Sequence, residues 1–458
     1  LPLSEHLTAD QSQGCLLRDA DEMLQYQRIM SRKNKKTSQI FSRGLINAFR
    51  DHSYGRTELS GKVAEEPGTV ESGGGRFEFG RDCVSMKSWG EMAVDCKADI
   101  CRVDLVWEAT MRRDVRHLVV GMIAVWGIGA ARAVEFSVPA EWEYSRPLIE
   151  PEDRAENRSH AQKDPTVVFY GGRWHVFMTA KLEGRSVIEY CSFENWDRAN
   201  EAKRTILEVS DSNYYCAPQV FYSRPHGKWY LIYQMDRPGG GKMMWVAYST
   251  TTDITRPESW TKARPILDGG PDDPREVGGL DYWIICDDER AYLFLTSLDG
   301  RMWRLWTELE KFPHGFGHCE LALQAHIFEA SHTYRLKSGD GYLTIIEENG
   351  RRYYKAYVSD RLDGVWRPIA DTADRPFEGW KNVRPAAGVE AWTDNVSHGE
   401  LIRDGYDETL TVDEKNLRFV FQGMWEKDKG GKGYGQFQWR IGMLTPVGSG
   451  GELTDWRP

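Results

Sequence analysis

The sequence predicts an all-β protein, a five-bladed β-propeller with a mostly unstructured N-terminal extension. Three observations carry that reading. One strand–turn–strand pattern recurs five times between residues 164 and 421, the apolar runs are short and rich in aromatic and β-branched residues, and no long stripe of helical period competes with them. Each copy opens on a polar residue, enters an apolar strand, turns on Gly or Asp, and returns on a second apolar strand, usually led by an aromatic residue.

The first copy runs from Asp164 through Val167, Val168 and Phe169, turns at Gly171-Gly172, and returns as Trp174 to Met178. The second starts at Gln219, turns at Pro225-His226-Gly227 and returns from Trp229. The third starts at Asp281, turns at Asp287-Asp288-Glu289 and returns from Tyr292. The fourth starts at Glu329, turns between Ser338 and Gly341 and returns from Tyr342. In the fifth, His398 leads to Leu401 and Ile402, and Asn416 leads into Leu417 to Phe421. These starts lie 55, 62, 48 and 69 residues apart, the period of a four-stranded blade with loops of varying length. The innermost strand of every blade lines the channel, so Asp164, Gln219, Asp281, Glu329 and His398 are expected to meet in one patch.

Upstream of the repeats, Met111 to His117 is a basic head, Leu118 to Ala130 is an apolar stretch of 13 residues, and Ala131-Arg132-Ala133 is a small-x-small cleavage pattern. That order predicts a secretory signal peptide over 111–133. A buried strand or short helix of an N-terminal domain is the weaker alternative. Residues 1–110 then form an upstream extension, disordered or absent from the mature protein, with a basic cluster at Arg32 to Lys36 and a Gly73-Gly74-Gly75 run. Residues 134–458 form the propeller, expected to be secreted, extracellular or periplasmic.

From residue 134 onward 40 Lys and Arg face 51 Asp and Glu, and this acidic balance argues against nucleic acid as a partner. No run of eighteen apolar residues predicts membrane insertion, and a monomer is expected. Cys191, Cys216, Cys286 and Cys319 show no CxxC spacing that would suggest a metal, and their pairing is left open.

The carboxylates suggest chemistry. Hydrolysis of a glycosidic bond without a cofactor needs one carboxylic acid to protonate the leaving oxygen and one carboxylate to activate water or attack, both in one pocket. Asp164, Asp281 and Glu329 supply that set at equivalent places in the repeat. Lys163 precedes Asp164, and its charge favours an ionised base there. Phe328 and Ala330 flank Glu329, an apolar setting expected to keep a general acid protonated. Asp281 would tune that acid. His398 is read either as a hydrogen-bonded structural residue or as a ligand to a channel cation or water. Pro238-Gly239-Gly240-Gly241-Lys242 lacks the Ser or Thr and the helix of a phosphate loop and is read as a blade loop.

Four strings together resemble glycoside hydrolase family 62: Lys163 to Val168, Ala217 to Tyr222 with Lys228 to Leu231, Ile327 to Ala330, and Trp392 to Asp404. The likeness extends from about Phe136 to Thr445. It implies a secreted α-L-arabinofuranosidase with a five-bladed propeller that removes arabinofuranosyl side groups from arabinoxylan or arabinan, plant cell-wall polysaccharides, with inversion. It further implies Asp164 as general base, Glu329 as general acid, Asp281 as modulator of the acid's pKa, and Lys163 and Tyr434 as contacts in the arabinose pocket. No cofactor is implied for catalysis, although His398 would belong to a channel site that often holds structural calcium. Tyr434-Gly435 stands where the family commonly has Tyr-Asn. The alternatives are another five-bladed glycosidase, such as a family 43 xylosidase or arabinanase, and a glycan-binding propeller without catalysis.

Overall fold

A computed structural model describes residues 134–236, 244–267, 279–348 and 352–448, together with the backbone of two short strands upstream. The chain divides into two units. In the unit Thr37–Ala130, the strands Val94–Cys96 and Cys101–Val103 pair antiparallel. The expected signal peptide, most of the upstream extension and the Pro238 to Lys242 loop lie outside the described residues.

The other unit carries five sheets, one per blade, antiparallel except where Thr411–Val412 adds in parallel to blade four and Val383–Pro385 in parallel to blade five. Blade one comprises Ser159–Tyr170, Arg173–Leu182, Arg185–Phe193 and Arg204–Ile206 in chain order. Blade two comprises Tyr215–Ser223, Lys228–Met235, Trp245–Thr251 and Arg264–Pro265. Blade three comprises Leu280–Cys286, Arg290–Thr296, Arg301–Glu308 and Gly317–Gln324. Blade four begins with Glu329–Leu336, Tyr342–Glu347, Tyr353–Ser359 and Arg367–Ala370. Among the described residues the helical segments are short 3-10 turns, and no helix is long and apolar enough to cross a membrane.

Local chemistry accounts for these hairpins. Gly171 and Gly172 have φ of +59° and +79°, the two left-handed residues that a tight type I′ turn requires between Tyr170 and Arg173. The inner strands are buried on both faces, so their apolar parts, such as Val167 to Phe169 and Tyr282 to Cys286, read as unbroken runs rather than alternating ones. Trp174 and Trp229, at the heads of two return strands, are fully buried, each in an apolar cluster that spans neighbouring blades.

Blade five closes the ring in a way the repeats do not reveal. Its strands Asn395–Leu401, Phe419–Met424 and Arg440–Pro446 are completed by Trp142–Tyr144, which comes from ahead of blade one. Leu444 pairs with Tyr144, and the buried Trp142 indole donates to the Phe377 carbonyl at 2.9 Å. Between the inner strands, the buried Arg403 guanidinium donates to the Val167 and Val220 carbonyls at 2.8 Å each and pairs with Glu400. One side chain thus ties blades one, two and five together.

Candidate active site

The five inner strands share one irregularity, and it builds the site. Each ladder shifts register at the same level: between Lys163 and Thr166, Cys216 and Gln219, Leu280 and Trp283, Glu329 and His332, and Ser397 and Gly399. Asp164, Ala217, Asp281 and Ala330 adopt φ of +48°, +50°, +54° and +55° there. Such left-handed conformations cost residues with a Cβ on the order of 1–3 kcal/mol each and recur at functional sites. A bulge bends the strand and re-aims the side chain beside it.

This register corrects one expectation. The blade-two counterpart of Asp164 is Ala217, whereas Gln219 lies two residues further on, and its side chain makes two hydrogen bonds to the Ile284 backbone, at 2.7 and 2.8 Å. Gln219 therefore joins blades two and three and is no part of the carboxylate cluster. Glu329 occupies the position just before the bulge, the same position as Lys163 in blade one.

The other expected residues come together. Lys163 Nζ lies 3.5 Å from Asp164 Oδ1 and donates to the Tyr434 hydroxyl at 3.0 Å. His398 Nδ1 lies 3.4 Å from Asp164 and 3.7 Å from Asp281. Asp281 Oδ2 accepts the Ala330 N–H at 3.2 Å, next to Glu329. Asp164, Asp281 and His398 are buried, and Tyr434 stands partly exposed at the rim.

Their charges are arranged in opposition. Burial would push the Asp164 carboxyl up, but Lys163 and His398 outweigh it and hold the group below the usual carboxylate range. Burial raises Asp281 to about 7, reinforced by Glu329 and Asp164 and opposed by His398. Burial works against the charge on His398, yet Asp281 and Asp164 raise its pKa above the ordinary histidine value. One carboxylate is thus kept ionised while a neighbouring one retains a proton, the division of labour that acid–base catalysis uses.

Glu329 departs from the apolar setting expected for it. Arg352 Nη1 donates to its Oε1 at 2.8 Å and also pairs with the buried Glu347. Arg352 lies outside every repeated string, and no sequence signal singled it out. Glu347 in turn accepts the His398 N–H at 2.9 Å.

Calcium takes six to eight oxygen ligands. His398 faces two carboxylates, with His332 packed against its ring at 5.2 Å, and among the described residues no group of three or more His, Cys, Asp or Glu is arranged to hold a metal ion. These side chains alone do not fit a calcium cage. Cys191, Cys216 and Cys286 are buried free thiols.

Comparison with known proteins agrees with this architecture. The model of glycosyl hydrolase family 62 matches residues 141–445. α-L-Arabinofuranosidase C of Cellvibrio japonicus is 36% identical over 325 residues, covering 69% of this chain and 48% of that protein, so the chain spans about half the length of this relative. The catalytic domain of the Coprinopsis cinerea family 62 α-L-arabinofuranosidase shares 36% identity with a TM-score of 0.62, over 68% of this chain and 98% of that one. An α-L-arabinofuranosidase of Podospora anserina, solved with cellotriose, shares 33% identity with a TM-score of 0.61, over 68% and 98% of the two chains. A family 62 hydrolase solved with xylotriose shares 34% identity with a TM-score of 0.60, over 67% and 97%.

Proposed function

The chain belongs to glycosyl hydrolase family 62, and on that premise we propose that it is an α-L-arabinofuranosidase that removes arabinofuranosyl side groups from arabinoxylan or arabinan by single displacement. The convergence of Asp164, Asp281 and Glu329 within one cluster of opposed charges carries this reading.

Asp164 is the general base. Lys163 and His398 keep it ionised, so it can take a proton from water attacking the anomeric carbon. Glu329 is the general acid, held by Arg352 and electrostatically coupled to Asp281, and it delivers a proton to the leaving glycosidic oxygen. Asp281, whose carboxyl burial pushes up to about 7, modulates that acid through the charge it places beside it. Tyr434 at the rim and the buried Lys163 bonded to it contact the sugar. Every step uses side chains and water. That two relatives were solved with cellotriose and xylotriose supports a β-linked polymer as the carrier of the arabinose. Export on the 111–133 segment and action outside the cell as a monomer complete the proposal.

Arabinose release by the full chain from wheat arabinoxylan, from branched arabinan and from unsubstituted xylan tests the substrate class. Release from either branched polymer supports it. Xylose from unsubstituted xylan with no arabinose from the others would instead support a xylosidase.

A further inference from the structure

The inner strand of blade one is bent twice. Besides the shift it shares with the other four inner strands, between Lys163 and Thr166, its ladder slips between Ser159 and Ala161, so His160 has no partner residue across the ladder. An extra residue of this kind bends its strand and re-aims its side chain. The half-buried His160 reaches from blade one to blade five, where its Nε2 lies 2.5 Å from the Gly435 carbonyl oxygen. A carbonyl can only accept, so Nε2 carries the hydrogen and donates it.

Gly435 belongs to the short turn Tyr434–Gln436, on the segment that joins Phe419–Met424 to Arg440–Pro446. Inside that segment Gln436 makes two bonds with Gly433, at 2.9 and 3.0 Å, and the Tyr434 ring packs edge-on to Phe437 at 5.6 Å. These local contacts set the shape of the turn. Its place above the pocket is set from blade one, by Lys163 donating to the Tyr434 hydroxyl at 3.0 Å and by His160 donating to the Gly435 carbonyl. Gly433 and Gly435 flank Tyr434, so no adjoining side chain braces it.

The two anchors respond differently to a sugar. Lys163 and Tyr434 both contact the arabinose in the proposed function, so their mutual bond is exchanged when the sugar enters. The His160 bond ends on the backbone and survives that exchange. We propose that His160 is a positioning residue for Tyr434: its bond to the Gly435 carbonyl keeps the rim turn in place while the Tyr434 hydroxyl exchanges Lys163 for a hydroxyl of the arabinofuranosyl group. This role rests on the reading of Tyr434 as a sugar contact. A contact at the rim is made alike in the bound substrate and in the transition state, so loosening it weakens KM and spares kcat.

The test measures kcat and KM for arabinose release from wheat arabinoxylan by the full chain, with the melting temperature read alongside. His160→Ala is expected to raise KM about fivefold, the size of one net hydrogen bond, and to leave kcat within about twofold. His160→Gln, whose amide carries a donor at nearly the reach of Nε2, should restore KM. In a Tyr434→Ala background the same His160→Ala change should alter KM by less than about twofold, because nothing remains for it to position. Should His160→Ala not fold, His160→Met, similar in bulk and without a donor, is read in the same way. An unchanged KM in the Ala or Met variant, a KM as high in His160→Gln as in His160→Ala, or an undiminished effect in the Tyr434→Ala background each overturn the positioning role while arabinose release by the parent stands. No arabinose from the parent overturns the proposed activity, and the role of His160 falls with it.

Discussion

Arg352 donates to the Glu329 carboxylate at 2.8 Å, and the same guanidinium nitrogen holds the fully buried Glu347. The proposed acid is thereby tied to the second strand of its own blade, and through Glu347 to the backbone of His398 in blade five. Removing the guanidinium would leave a buried carboxylate without its counter-charge. Arg352→Met is therefore expected to destabilise the fold by about 3–5 kcal/mol in denaturant titration and to lower kcat.

Side chains that transfer the reacting protons contribute on the order of 10²–10⁴-fold. Glu329→Gln and Asp164→Asn should each reduce kcat by about that much while circular dichroism and melting remain near those of the parent. A tenth of the parent rate in either variant would remove that residue from its role.

The alkaline limb of the rate profile should belong to Asp281. Burial and the adjoining carboxylates raise its carboxyl to about 7, so it loses its proton as pH passes through that value and activity should fall there. Asp281→Asn removes the group that titrates. The fall near pH 7 should then disappear from initial-rate measurements.

Stability should vary with pH in the same sense. The folded state retains the Asp281 proton up to about 7, whereas the unfolded chain releases it near 4, so this contribution is complete below about 4 and is lost as pH rises to 7. Glu378 acts in the same direction: it is fully buried, its oxygens have no hydrogen-bond partner among the described residues, and burial, then Glu347, raises its pKa well above the ordinary value. The Tm is therefore expected to fall between pH 5 and pH 8, and Glu378→Gln should flatten that slope in calorimetry.

Trp142 offers a check on ring closure. Its burial and its bond to the Phe377 carbonyl fasten the strand that completes blade five, so Trp142→Ala should cost about 3–5 kcal/mol of stability.

The blade count and the convergence of Asp164, Asp281, Glu329 and His398 were legible because strand composition and turn residues repeat at blade spacing. Ala217 was hidden because a bulge shifts the ladder by its own local geometry, and the neighbouring Gln219 looked like a better match to the polar openings. Arg352 was hidden for a different reason. It acts on a residue of another strand, and no spacing along the chain encodes that meeting. The closing strand Trp142–Tyr144 is only three residues long, too short for any period to mark it.

Proton NMR of the full chain acting on wheat arabinoxylan tests the central claim most directly, because it identifies the sugar released and its first anomer. Early appearance of β-arabinofuranose, before mutarotation, is the result expected of single displacement with Asp164 activating water and Glu329 protonating the leaving oxygen. Early α-arabinofuranose would contradict that mechanism, and no arabinose from a folded protein would contradict the proposed activity.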